Sequence, residues 1–125
     1  MELISKKKTN KPSIYLISPT SIDNKFFPSL LKSVLSTGLI SVFQLRLKKY
    51  SDRETIQIIE NLFPICINYK VPFILNDRAD IAKITGVDGV HLGEEDISIK
   101  KARNILGNNK IIGSSCLLYT SPSPR

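Results

Sequence analysis

The sequence has no tryptophan, one methionine, one histidine and only two cysteines in 125 residues. Cys66 and Cys116, with no N-glycosylation sequon, exclude a disulfide scaffold and read as a reduced, cytoplasmic protein. No apolar run approaches the ~18 residues of a membrane span. The opening Met1-Glu2-Leu3-Ile4 is too short and too polar for a secretory signal. No G-x-G-x-x-G follows the first apolar run, so a dinucleotide site has no support. The single histidine, His91, cannot complete a zinc site, and no Ser-His-Asp or Cys-His set can be assembled. Nucleophilic catalysis has no candidate. Acidic residues are also in deficit: 11 Asp+Glu against 18 Lys+Arg leave a net charge of +7. Such a charge favours anionic partners. The basic residues are dispersed apart from Lys6-Lys7-Lys8, and aromatics do not interleave with them. Phosphorylated small molecules are therefore preferred to nucleic acid or membrane.

What is present is a repeated change of period. Residues 1–12 read as a polar, basic tail. Ile14-Tyr15-Leu16-Ile17, bounded by Pro12 and Ser18-Pro19, is a short buried strand. Phe27, Leu30, Leu31, Val34 and Leu35 recur at helical spacing, with Pro28 in the first turn and Gly38 past the end. Val42 to Lys48 alternates as a strand. Ser51 and Glu54 have capping-box spacing ahead of a helix striped by Ile56, Ile59, Leu62 or Phe63, and Cys66. Strands follow at Val71–Leu75 and Gly89–Leu92, and a fifth begins at Lys110. Between them lie helices around 80–85, stopped by Gly86, and after Ser98, with Ile99, Ala102 and Ile105 or Leu106 inward. The order β-α-β-α-β-α-β-α-β means parallel strands and an α/β class, either an open doubly wound sheet or a (β/α)₈ barrel.

Covered parallel strands are nearly all apolar, so their polar exceptions are informative. Gln44, Arg46 and Lys48 occupy alternate positions and are predicted to share one face. Asn76 and Asp77 end the third strand, Asp96 follows the fourth, and Ser114-Ser115 end the fifth. All four clusters sit at strand C-terminal ends, where α/β active sites are built. Arginine and lysine side by side suit phosphate or pyrophosphate oxygens. Two aspartates suit Mg²⁺, although Asp77 is equally able to pair with Arg78 or to cap the next helix. His91 reads as a buried, hydrogen-bonded structural residue.

These residues resemble the thiamine phosphate synthase family. The likeness runs through Tyr15-Leu16-Ile17-Ser18-Pro19, Gln44-Leu45-Arg46-Leu47-Lys48 and Phe73-Ile74-Leu75-Asn76-Asp77-Arg78. It continues through Asp88-Gly89-Val90-His91-Leu92-Gly93-Glu94-Glu95-Asp96 and Ile112-Gly113-Ser114-Ser115. The resemblance implies a (β/α)₈ barrel of the TIM type. It further implies a transferase that joins 4-amino-2-methyl-5-hydroxymethylpyrimidine diphosphate to 4-methyl-5-hydroxyethylthiazole phosphate. Thiamine phosphate forms and pyrophosphate is released with Mg²⁺. Gln44, Arg46, Lys48 and Asn76 would bind the pyrimidine diphosphate, Ser115 would lie beside the pyrimidine, and Asp77 and Asp96 would hold the metal. The alternatives are a thiazole tautomerase-like paralogue of the same fold and a non-catalytic phosphometabolite-binding fragment.

Barrels of this kind need roughly 200 residues or more. The expectation is therefore a barrel truncated to about its first four βα units plus strand five, spanning residues 13–115 and inactive by itself. Residues 116–125, Cys-Leu-Leu-Tyr-Thr-Ser-Pro-Ser-Pro-Arg, resemble a translated sequencing adapter and are expected to be a non-native tail.

Overall fold

Short aliphatic runs that alternate with amphipathic stretches must pair in parallel, because each helix carries the chain back to where the previous strand began. The computed structural model, which describes residues 2–5, 14–93 and 98–114, has this arrangement. Its elements are β1 (Glu2–Ser5), β2 (Ile14–Ile17), α1 (Phe27–Leu35), β3 (Ile40–Leu45), α2 (Asp52–Asn68), β4 (Phe73–Asn76), α3 (Ala79–Thr85), β5 (Gly89–Leu92), α4 (Ile99–Leu106) and β6 (Ile111–Ser114). One six-stranded sheet runs in the order β1-β2-β3-β4-β5-β6. The five strands from β2 to β6 are parallel, and β1 lies antiparallel on β2. Each crossover thus moves the chain one strand over in the same direction. A doubly wound sheet reverses direction and places helices on both faces; this sheet does not reverse.

The register divides the strand residues cleanly. Leu16, Phe43, Phe73 and Leu75 are in step across β2, β3 and β4, with Val90 and Leu92 on β5. These side chains form the core with Leu31 and Leu35 of α1, Ile58, Ile59, Leu62 and Cys66 of α2, Ala82 of α3 and Ala102 of α4. Phe43 and Phe73 meet edge-on at 5.4 Å between ring centroids, and Phe63 packs on Phe73 at 5.6 Å. The alternate positions Tyr15, Ile17, Val42, Gln44, Asn76 and His91 lie outside this cluster. Helices therefore cover one face, and the polar residues belong to the other.

Local signals act as their chemistry requires. Ser51 Oγ accepts from the Glu54 amide at 3.1 Å while the Glu54 carboxylate accepts from the Ser51 amide at 2.8 Å, closing the predicted capping box. Ser98 accepts from the Lys101 amide at 3.2 Å and opens α4. Gly86 ends α3 with φ +79°, a left-handed conformation that glycine adopts without steric cost.

Four expectations need correction. The stretch read as a tail contains β1, which pairs antiparallel with β2. The strand read as Val42–Lys48 is Ile40–Leu45, because beyond Leu45 the Arg46 amide bonds to a side-chain oxygen, Ser18 Oγ, rather than to a neighbouring strand. Leu30 and Ile99 are exposed rather than in the core, since α1 and α4 each meet the sheet along a stripe narrower than their apolar pattern. In α2 the burial falls on Thr55, Ile58, Ile59, Leu62 and Cys66, leaving Ile56 and Phe63 half-buried.

Asp88 joins β4 to β5 at the end of the sheet remote from the polar clusters. Its carboxylate accepts from the Phe73 amide at 2.7 Å, and its own amide donates to the Phe73 carbonyl at 3.0 Å. Asp88→Ala leaves that buried-strand amide unpaired and is expected to lower the unfolding free energy by about 1–3 kcal/mol in urea denaturation. Burial, reinforced by the Asp88 charge, pushes the Cys66 thiol up to about 12. In a Cys116→Ser variant, a thiol reagent at about pH 8 is expected to label Cys66 only after unfolding, and rapid labelling of the folded chain would contradict this.

Candidate functional site

The C-terminal ends of β2, β3, β4 and β5 lie side by side along one edge, and their hydrogen bonding continues past the strands. After β2, the Ser18 amide donates to the Gln44 carbonyl at 2.9 Å. Ser18 Oγ accepts from the Arg46 amide at 2.9 Å and donates to the Pro19 carbonyl at 2.9 Å. The Lys48 amide reaches the Thr20 carbonyl at 3.0 Å. The segment carrying Arg46 and Lys48 is thus pinned by its backbone to the loop after β2, which leaves its side chains available. Lys49 then turns the chain with φ +65°.

Gln44 is 3% exposed and faces away from the helices. A buried carboxamide must be satisfied, and its Nε2 donates to the Tyr15 hydroxyl at 2.9 Å. Burial raises the Tyr15 pKa from its usual value, opposed by that hydrogen bond from Gln44. Tyr15 therefore stays neutral near pH 7. Asn76, half-buried at the end of β4, is level with His91 on β5 and on the same face as Gln44. His91 in turn stacks over Gly113, where an added Cβ would come within 3.1 Å of Nδ1. His91 is half-buried on this polar face rather than buried as expected.

Asp77 is exposed and left-handed, with φ +73°, and its amide donates to the His91 carbonyl at 2.8 Å. It does not take the guanidinium beside it. Arg78 bonds Asp52 at 2.8 Å and Asp80 at 2.9 Å instead. Hydrogen bonding to Arg78 lowers both carboxyl pKa values from the usual range and raises that of the guanidinium.

Of the seven residues predicted for the site, Gln44, Arg46, Lys48, Asn76 and Asp77 come together at the ends of two adjacent strands, β3 and β4. Asp96 and Ser115 lie outside the described residues. Arg46 and Lys48 follow the strand rather than projecting from it, so the predicted shared strand face does not exist for them. Arg46 is half-buried and Lys48 exposed, and no hydrogen bond or ion pair among the described residues engages either side chain. Ser18 and Tyr15 were missed as site residues. A serine directly after an all-apolar strand was the available signal for Ser18; the Tyr15–Gln44 pairing has no local signal.

The donor set can be weighed against a metal. Among the described residues, no three His, Cys, Asp or Glu side chains are grouped as metal ligands. Mg²⁺ needs only one or two carboxylates and completes its shell with water and phosphate oxygens, so Asp77, at the strand end next to a loop with two cations that no described residue engages, fits an ion shared with a phosphorylated ligand. A shallow depression lined by Ile67, Lys70, Val71, Pro72 and Asp88 lies at the opposite end of the sheet. No helix among the described residues is long and apolar enough to cross a membrane.

Known proteins are similar to this chain over most of its length. A profile of the thiamine monophosphate synthase family matches residues 14–120. The chain is 44% identical over 113 residues to the thiamine-phosphate synthase of Pelagibacter ubique, covering 90% of this chain and 54% of the relative. It is 40% identical over 103 residues to that of Rhodospirillum centenum, covering 82% of this chain and 50% of the relative. Among solved structures, the thiamine phosphate pyrophosphorylase of Pyrococcus furiosus superposes with a TM-score of 0.68 at 31% identity, over 82% of this chain and 48% of that one. The chain thus spans about half the length of the relatives it matches.

The left-handed backbone at Asp77 separates conformation from charge. Asp77→Asn keeps a residue type that tolerates φ +73° and is expected to leave the urea midpoint near wild type, whereas Asp77→Val is expected to cost about 1–2 kcal/mol. Equal stability of the two variants would show that the turn is not so constrained.

Proposed function

The chain belongs to the thiamine monophosphate synthase family, and from that premise we propose that it carries the pyrimidine-diphosphate half of a synthase active site. The whole enzyme is read as a transferase that joins the aminopyrimidine diphosphate to the thiazole phosphate and releases pyrophosphate. The observation that carries this reading is the meeting of five predicted residues at two adjacent strand ends, where no hydrogen bond or ion pair among the described residues engages the Arg46 or Lys48 side chain.

Each residue has a chemical task in that reaction. Arg46 offers a planar fork and Lys48 a point charge to diphosphate oxygens. Gln44, held by Tyr15, and Asn76 present carboxamides to the ring on the face away from the helices. Asp77, together with Asp96, would hold Mg²⁺, which when bound adds positive charge against the departing pyrophosphate. A reaction in which pyrophosphate leaves before the thiazole nitrogen attacks needs charge around the leaving group and no protein nucleophile. A tautomerase of the same fold transfers no diphosphate and has no use for a cationic loop next to an aspartate at the neighbouring strand end.

The architecture is read as part of a (β/α)₈ barrel. Consecutive parallel strands with helices on one face are what a barrel wall requires, and the polar face becomes its interior and mouth. Relatives of about twice the length supply room for the remaining strands and for the thiazole phosphate site.

The test is Mg²⁺-dependent pyrophosphate release by the full-length protein that continues this chain through a second half. Release with both substrates is expected, cut by at least ~10²-fold in Arg46→Ala and in Asp77→Ala. Wild-type turnover in both variants overturns the role assignments.

A further inference from the structure

The connection from β4 to α3 is only Asp77 and Arg78, and Arg78 is the N-cap residue of α3 without making a side-chain cap. Arginine is an unusual choice where Asn, Asp, Ser or Thr would satisfy a helix amide. Its side chain is spent sideways instead. Nη1 and Nη2 donate to the two Asp52 oxygens at 2.8 and 3.2 Å, while Nε and Nη2 donate to the two Asp80 oxygens at 3.1 and 2.9 Å. One guanidinium thus holds two carboxylates, each by a two-point contact that uses its rigid geometry.

The two carboxylates belong to different helices. Asp80 is in the first turn of α3, directly after the turn itself. Asp52 is the first residue of α2, fixed there by the Ser51–Glu54 capping box, and it ends the loop that carries Arg46 and Lys48. Exposure is high, with Arg78 at 41%, Asp52 at 65% and Asp80 at 59%, and ion pairs so exposed add little to stability. They do fix a distance. Between the clamp and the amide bond to His91 sits Asp77, in a left-handed conformation.

We propose that Arg78 is a positioning residue that locks the cationic loop after β3 to the turn after β4, and so sets Asp77 relative to Arg46 and Lys48. The consequence for metal binding rests on the reading of Asp77 as a Mg²⁺ ligand; the geometry of the clamp does not. Asp52 carries no chemistry of its own in this scheme, and Asp52→Asn breaks the far anchor while leaving Arg78 and Asp80 in place.

The test uses the 125-residue chain, labelled with ¹⁵N, as wild type, Arg78→Gln and Asp52→Asn. The strong intraresidue amide–Hα NOE that marks positive φ at Asp77 is expected in the wild type and weakened in both variants, with no change in the urea midpoint. Titration with Mn²⁺ alone is expected to broaden the Asp77 amide, at about tenfold higher concentration in the variants. Arg78→Lys, which keeps the charge but not the fork, is expected not to restore the NOE. A wild-type NOE in Asp52→Asn overturns the clamp, whether or not Arg78→Gln folds. Weakened NOEs with no Mn²⁺ broadening in the wild type uphold the clamp and overturn the metal role of Asp77.

Discussion

Parallel pairing in unbroken chain order is the constraint from which the rest follows. Because β2 to β6 are laid down one after another without reversal, every right-handed crossover falls on the same face. That single fact places all four helices together, gives the sheet one apolar face built on Leu16, Phe43, Phe73, Leu75 and Val90, and frees the other for Tyr15, Gln44, Asn76 and His91. It also aligns the strand C-termini along one edge. Loops remote in sequence then become neighbours there without any contact being made for that purpose.

At that edge, order comes from backbone bonding more than from side-chain packing. Ser18 takes the place of a strand partner for Arg46, Thr20 does so for Lys48, and the His91 carbonyl does so for Asp77. Backbones held this way fix the course of the loops without calling on the Arg46 or Lys48 side chains, which no hydrogen bond or ion pair among the described residues engages. The opposite end of the sheet works differently. Asp88 there uses its carboxylate to pair the Phe73 amide, and Gly89 leaves no Cβ to collide with the Ile111 carbonyl. Two of the most recognisable residues of the D-G-V-H-L-G run thus hold strands together, away from the candidate chemistry.

Much of this was legible in the residues themselves. The capping box at Ser51 and Glu54, the α/β alternation and the position of Asn76 and Asp77 at a strand end all follow from local chemistry, whose range is a few residues. Period two misled at Arg46 and Lys48, because alternation persists for three more positions after the strand has ended at Leu45. Leu30 and Ile99 misled for a related reason. A helical stripe in sequence states which residues are apolar, not how much of the stripe the sheet reaches.

The sequence by itself determined the class of fold and the residue types that its strand ends carry. Those are properties of composition, spacing and short-range hydrogen bonding. Only the tertiary structure decided that β1 covers the β2 edge, that Tyr15 satisfies Gln44, and that Arg78 turns from Asp77 to Asp52 and Asp80. Each of these joins groups separated by many residues or chooses among competing carboxylates. Such choices depend on distance in space, which the crossover geometry sets and local sequence does not encode.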